Sequence, residues 1–384
     1  MKDKFWILLE GFILGSLTIL VLVYIFCYDD IKLSRKFDSI LSVVQEFYYE
    51  GMSEEDLIER KDNIYNGALS GLDPYSAYYS EKEYKKLTDN MNSIIGGIGI
   101  RMRYVEEHNK YYIYEVINNS PAEKYGLQIG DIVYAVDDIV ASNTPMSDLS
   151  EMIRGDIDSS VKLTILRGED KFDVDIKRSE VQFPVVTYEI YDGVGYIEIT
   201  SFSSTTSDEF SVALNEMRQN NVETIILDLR QNSGGVVGYL QNTASQILPS
   251  CLLFTQTDNK GVETKCSIES NLDEPEFNFV ILTSHITASC AEVFASLFQD
   301  YNYGTVIGER TYGKGCVQSI LELGDGSAIK LTVATWTTPN GNEVMGRGIL
   351  PDIYVEDDWK DDDFLRLDYK NDSMLQFALD YVKD

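Results

Sequence analysis

From Gly193 to Tyr301 apolar strands and helices alternate: GVGYIEIT then SDEFSVALNEMRQN, TIILDLR then VVGYLQNTASQIL, FNFVILT then CAEVFASLFQDY. A short apolar run between polar turns reads as a buried strand. Strands taken in turn with helices build an α/β core. The stretch before it reads differently. After the glycine-rich IIGGIGIRM come the short strands YYIYEVI, DIVYAVDD, VKLTILR and KFDVDIK, with one helix in SDLSEMIRG. That is a compact β-rich module of about 85 residues with its own core. Upstream, residues 29 to about 90 read as helical. Leu41, Val44, Phe47 and Tyr48 share one face, and a second helix covers Glu54 to Leu69. Gly71 and the Asp73-Pro74 step end it.

The 384 residues can hold two or three modest domains. A formal net charge of −31 excludes sequence-independent attraction to nucleic acid and disfavours an anionic lipid surface. Phe5 to Tyr28 is nearly all apolar and long enough to span a bilayer. VLVYIFCYDD offers no small-x-small cleavage site, so an uncleaved single-pass anchor is expected. Lys2 and Lys4 on one side and Lys32, Arg35 and Lys36 on the other leave its orientation undecided.

Chemistry concentrates in three places. The chain has two histidines, His108 and His285, so a histidine-based triad has few candidates. Neither lies in an H-E-x-x-H pattern, no cysteine pair has zinc spacing, and neither a metal nor another cofactor is expected. Ser289 stands where a strand and loop give way to a helix. A serine there has a ready structural role as an N-cap. The same position places a hydroxyl among free N–H groups at the positive end of a helix, where an oxyanion is stabilised. Lys314 lies between Gly313 and Gly315 in a near match to a phosphate-binding loop. Gly315 stands where that loop needs Ser or Thr, and CVQSILEL after it reads as a strand, so nucleotide binding is rejected. A lysine acts as a base in its neutral form, which burial favours. Third, LDLRQNSGG runs a buried strand into Gly234-Gly235, where the backbone can turn sharply and present N–H groups.

LDPYSAYYS, GGIGI, GLQIGD, LDLRQNSGG, TASCAE, GKGCVQ, LTVATWTTPNG and GRGILPDI resemble, in the same order, the motifs of carboxyl-terminal processing peptidases, also called tail-specific proteases. The resemblance runs from about Leu41 to Val355. It implies an α+β multidomain protein: a PDZ domain and an α/β protease core of the ClpP/crotonase-like kind. The expected parts are a cytoplasmic stub and anchor (1–28), a helical region (29–91), the PDZ domain (92–182), the protease core (183–355) and an acidic tail ending in a helix (356–384). Ser289 matches the family's nucleophile, Lys314 its general base and Gln318 the glutamine that orients the lysine. The backbone N–H groups of Gly234 and Cys290 match its oxyanion donors. In the PDZ domain, Gly97, Ile98, Gly99 and Ile100 would hold a substrate's C-terminus, with apolar terminal residues preferred. Arg154 matches an arginine that couples peptide binding to the protease site. The resemblance also implies a catalytic part outside the cytoplasm and a homo-oligomer, a dimer being favoured. A PDZ scaffold on a silent core and an acyl-CoA enzyme are the competing readings. Retention of Ser289, Lys314, Gln318 and Gly234-Gly235 together disfavours the first, and the PDZ module and anchor disfavour the second.

The cysteines pose two further questions. Cys290 and Cys316 depart from the family's usual small or hydroxylated residues. They are either two small buried side chains or, if they meet, an oxidisable pair beside the oxyanion hole. Cys251 and Cys266 flank LLFTQTDNKGVETK, a hairpin expected to turn near Asp258 and Asn259. A two-residue turn would set them opposite each other, within reach of a disulfide outside the cell.

Overall fold

The computed structural model describes residues 28–48, 51–91, 94–357 and 372–383. The expected anchor lies outside them, apart from Tyr28. Among the described residues no helix is long and apolar enough to cross a membrane. The chain divides into two compact units after Tyr78.

The first unit is helical. It contains α1 (Tyr28–Phe47) and α2 (Glu54–Leu69). Ser53 starts α2 through a capping box: its Oγ accepts from Asp56 N, and its own N–H donates to Asp56 Oδ2. On α1 the expected apolar face is only partly covered. Leu41 and Val44 are half-buried, whereas Phe47 is 71% exposed.

The second unit opens with α3 (Glu81–Met91) and continues into the β-rich module. β1 (Ile94–Gly97) pairs with a strand at the end of the module, Ser179–Gln182. Between them β2 (Ile100–Val105), β3 (Lys110–Val116), β4 (Ile132–Val136), β5 (Ser160–Arg167) and β6 (Asp170–Lys177) form an antiparallel sheet in that order. Helix α4 (Met146–Ile153) buries Leu149 and Ile153 into a core with Ile98, Ile113, Leu163 and Ile165. β2 is an edge of this sheet. With Ser179–Gln182 counted as β7, the protease core begins at β8 (Val186–Tyr191).

The alternation seen in the sequence becomes a six-stranded sheet: β8, β9 (Val194–Ile199), β10 (Thr224–Asp228), a strand at Asn278–Thr283, another at Gly304–Gly308, and Ile353–Tyr354. The first pair is antiparallel and the rest parallel. α5 (Thr206–Gln219) buries Phe210, Ala213, Leu214 and Met217, the spacing of one helical face. α6 (Val237–Ala244) and α7 (Cys290–Asp300) pack on the same side. Every residue of α7 from Cys290 to Phe298 is buried, which is why all of them but Glu292 and Ser296 are apolar. Fully burying Val293, Phe294, Leu297 or Phe298 contributes about 1.5–3 kcal/mol each.

The other side of the sheet is covered by α8 (Ser373–Lys383), which buries Met374, Leu375, Ala378 and Leu379 against Ile226, Val280 and Leu282. The C-terminal helix is therefore a layer of the core and not a solvated appendage. Because both faces are covered, the middles of the central strands are apolar without a break, Ile225–Leu227 in β10 and Phe279–Leu282 in the strand beside it.

A second, antiparallel sheet joins β11 (Cys251–Asp258), β12 (Glu263–Ile268) and the hairpin Cys316–Glu322/Ala328–Thr337. The expected cysteine pairing fails here. A bulge between Leu252 and Phe254 shifts the register, and the turn runs over Asn259 to Gly261. Cys251 faces Ile268, Cys266 faces Phe254, and both thiols are free. In the order now complete, the Asn278–Thr283 strand is β13, Gly304–Gly308 β14, Cys316–Glu322 β15, Ala328–Thr337 β16 and Ile353–Tyr354 β17.

Candidate active site

Ser289 follows β13 and its loop and immediately precedes α7. Ser289 is the N-cap of α7 and shares a capping box with Glu292, but its backbone departs from that of the other serine caps. Ser53 and Ser120, which cap helices, are extended, with φ −77, ψ 170 and φ −72, ψ 165. Ser289 has φ 57 and ψ −120, a left-handed value that L-residues adopt only under constraint. Such a strained strand-to-helix turn lifts a hydroxyl out of the chain's path, as nucleophile elbows do.

The constraint is Glu292, one turn into α7 and fully buried. Its Oε2 accepts the N–H of Ser289 at 2.8 Å and that of Lys314 at 2.8 Å. Its Oε1 accepts Thr311 Oγ1 at 2.6 Å and Gly313 N at 2.7 Å. One carboxylate thus fastens the Ser289 turn to the Lys314 loop. Nothing in the sequence sets Glu292 apart, because an acid in a first helical turn has an ordinary role there. On the other side Trp336 Nε1 donates to the Lys314 carbonyl at 3.1 Å. Gly315 lets this loop pack: a Cβ there would lie 2.2 Å from Met345 N. The loop then enters β15, the strand expected from CVQSILEL.

Ser289, Lys314 and Gln318 line one cleft of about 430 Å³, with Gly235 and Cys290 beside them. Its apolar wall includes Val237, Phe254, Val293 and Trp336. Leu87 and Met91 of α3 complete it. That helix reads from sequence as part of the N-terminal region, and no motif marks it.

Gly234 meets Ser289 directly. A Cβ on it would lie 2.8 Å from Ser289 Cβ and 3.3 Å from Cys290 N, and its φ is 114. Only glycine fits. The expected oxyanion donor is nevertheless occupied: Gly234 N–H donates to Asn232 Oδ1 at 2.8 Å. Its carbonyl accepts from Phe202 N. Gly235, the next residue, is the one that lines the cleft.

Cys290 is buried and donates its thiol to the Gly235 carbonyl at 3.3 Å. Cys316 is buried in the same cleft, and no disulfide joins it to Cys290. Burial pushes the Cys290 thiol up to about 12. Iodoacetamide at pH 8 is therefore expected to leave Cys290 unmodified in the folded protein, read by peptide mass mapping.

The PDZ residues also come together. Gly97, Ile98, Gly99, Ile100 and Arg154 line a cavity of about 390 Å³ between β2 and α4. Ile98 is 1% exposed and belongs equally to the module's core. Gly99 has φ 85, and a Cβ on it would lie 2.3 Å from Ser120 Cβ.

Residues 193–355 match peptidase family S41, and residues 112–167 match a PDZ domain. The "Probable CtpA-like serine protease" of Staphylococcus aureus (strain COL) is 30% identical over 362 residues, 92% of this chain and 72% of that one. The chain belongs to peptidase family S41. Its S41 core carries the Ser289 cleft, and its PDZ domain carries the second cavity. A protein of the same description from Staphylococcus epidermidis is 32% identical over 84% of this chain. The chain spans 65% of that relative's own length. Among solved structures, a photosystem II D1 C-terminal processing protease superposes with a TM-score of 0.50 at 25% identity, covering 79% of this chain and 83% of that one.

Proposed function

We propose that this S41 chain is a serine endopeptidase that takes protein C-termini in its PDZ groove and cleaves by acyl transfer. Neutral Lys314 accepts the Ser289 proton as Oγ attacks the peptide carbonyl, and Gln318 orients the lysine. The oxyanion is met by the Cys290 N–H at the start of α7, and the Gly234 N–H joins it by leaving Asn232 Oδ1. The C–N bond breaks, Lys314 returns the proton to the leaving amine, and water then hydrolyses the ester with Lys314 again as base. The observation that carries this reading is the strained Ser289 backbone, fastened by Glu292 to the peptide that bears Lys314.

The substrate class follows from the two cavities. β2 is an edge strand, open to an added peptide strand. Ile100, Met102, Met146 and Ile153 beside it offer an apolar seat for a terminal side chain. A relative named for C-terminal processing supports the same use. The apolar stretch 5–28 would anchor the chain in the cell membrane with residues 1–4 inside and the catalytic part outside. The working form would be a homo-oligomer, with a dimer favoured.

The test uses the full-length chain in detergent with two unfolded proteins, one ending in apolar residues and one in Asp-Asp. Faster cleavage of the apolar tail, with a fluorophosphonate attached to Ser289 by mass mapping, is the expected result. Cleavage that ignores the tail would remove the PDZ-guided selection. Tail-dependent binding with no cleavage and no label would leave a scaffold in its place.

A further inference from the structure

Among the described residues Arg230 is the largest fully buried side chain, and the proposed mechanism gives it no task. Its guanidinium meets Asp228 at 2.6 Å and Asp372 at 2.6 and 2.8 Å. Asp357 lies further off, at 3.8 Å. Asp228 also accepts the Tyr196 hydroxyl at 2.8 Å. A buried arginine must be paired, and bidentate carboxylates suit its planar fork. Asp228 sits two residues away on the same strand end. Asp372 comes from 142 residues along the chain, immediately before α8.

The position of Arg230 is what gives that pairing a consequence for the site. Its carbonyl accepts from Ser284 Oγ at 2.6 Å. The neighbouring Leu229 carbonyl accepts from Thr287 Oγ1 at 2.8 Å, and Ala288 N donates to the Asn232 carbonyl at 3.0 Å. These bonds join the end of β10, which runs on into the Asn232–Gly235 turn, to the loop that delivers Ser289. Arg230 stands at this seam. Two of its guanidinium nitrogens are held by a residue of the C-terminal segment.

We propose that Asp372 is a positioning residue for the Ser289 site, acting through Arg230. The C-terminal helix then sets the geometry of the nucleophile and the adjoining turn, beyond covering the sheet. Without Asp372, Arg230 keeps one close carboxylate partner, and part of its buried fork must find a new arrangement. The strand end moves with it, and with the strand end the contacts to residues 284–288. This inference rests on the reading of Ser289 as nucleophile.

Asp372→Asn is the informative substitution. The amide can still accept from Leu375 N, as Asp372 Oδ1 does at 2.9 Å, so the start of α8 keeps its hydrogen bond. The charge opposite Arg230 is lost. Leu379→Ala is the matched control: it loosens the packing of α8 without touching Arg230. For full-length wild type, Asp372→Asn and Leu379→Ala, three quantities are measured: the rate of fluorophosphonate labelling at Ser289, kcat and KM on an apolar-tailed peptide, and the melting temperature. Labelling and kcat of Asp372→Asn are expected to fall at least tenfold with KM within twofold. Leu379→Ala should keep kcat within twofold even where its melting temperature falls as far. Asp372→Glu, which restores the charge, should recover part of the loss. Wild-type rates in Asp372→Asn would overturn the proposal, as would an equal loss in Leu379→Ala. A wild type that is itself never labelled at Ser289 would instead overturn the peptidase reading on which it rests.

Discussion

Glu292→Gln is expected to lower kcat by about 10²-fold and stability by about 2–6 kcal/mol. Both carboxylate oxygens are saturated by donors: Ser289 N and Lys314 N on one, Thr311 Oγ1 and Gly313 N on the other. The amide is the same size but places an NH2 group where one oxygen was. Two buried donors then face a donor, and each loses about 1–3 kcal/mol of satisfaction. The Ser289 turn or the Lys314 loop must shift, and a displacement near 1 Å costs about 10²-fold in rate. Denaturant unfolding and peptide kinetics measure the two effects. An active, equally stable Glu292→Gln protein would show that the clamp is dispensable.

The same group has a pH signature. Burial pushes the Glu292 carboxyl above its ordinary 4.5, the loss of hydration outweighing the four hydrogen bonds that favour its charged form. The clamp needs the carboxylate, so activity should rise as pH climbs through the raised value. Stability runs the other way. A folded-state pKa above the unfolded one gives a contribution fully present below 4.5 and lost as pH rises through the folded value. In that window wild type should gain activity while its stability falls relative to Glu292→Gln, which cannot titrate there. Parallel pH profiles of melting temperature for the two proteins would contradict the assignment.

The βα alternation of the core could be read from sequence because central strands covered on both faces carry unbroken apolar runs, with polar residues such as Asp228 and Thr283 only at their ends. Ser289, Lys314 and Gln318 were legible through motifs and do share a cleft. What stayed hidden depended on partners distant in the chain. Glu292 looks like any acid in a first turn until the Thr311–Lys314 loop returns onto it. Asp372 is one aspartate in an acidic tail, and its value appears only when α8 sets it against Arg230. The amphipathic pattern of SMLQFALDYV was visible, but a pattern does not say which surface will cover it. The register of Cys251 and Cys266 turned on a single bulge, which flips or shifts every cross-strand partner beyond it. A motif alone places the Gly234 amide among the oxyanion donors. Its actual acceptor is the side chain of Asn232, and no spacing rule predicts that choice.

Lys314→Ala should separate chemistry from architecture. The loop around Lys314 is held by its main chain: the N–H goes to Glu292 and the carbonyl to Trp336. Removing the side chain leaves both bonds in place, so melting temperature should fall by only a few degrees, corresponding to about 1 kcal/mol or less. The rate should fall far more, by about 10²–10⁴-fold in kcat, the usual worth of a positioned general base. Arginine at this position cannot act as a base, because its guanidinium stays charged, so Lys314→Arg should be as slow as Lys314→Ala. The alanine variant also opens space beside Ser289 in the cleft. A small primary amine supplied in solution should restore part of its activity, increasingly as the pH rises and more of the amine is neutral. No such rescue is expected for Glu292→Gln, where the lysine is present and its mounting is at fault. Rescue of both variants, or of neither, would mean that Lys314 and Glu292 do not divide the work as base and clamp.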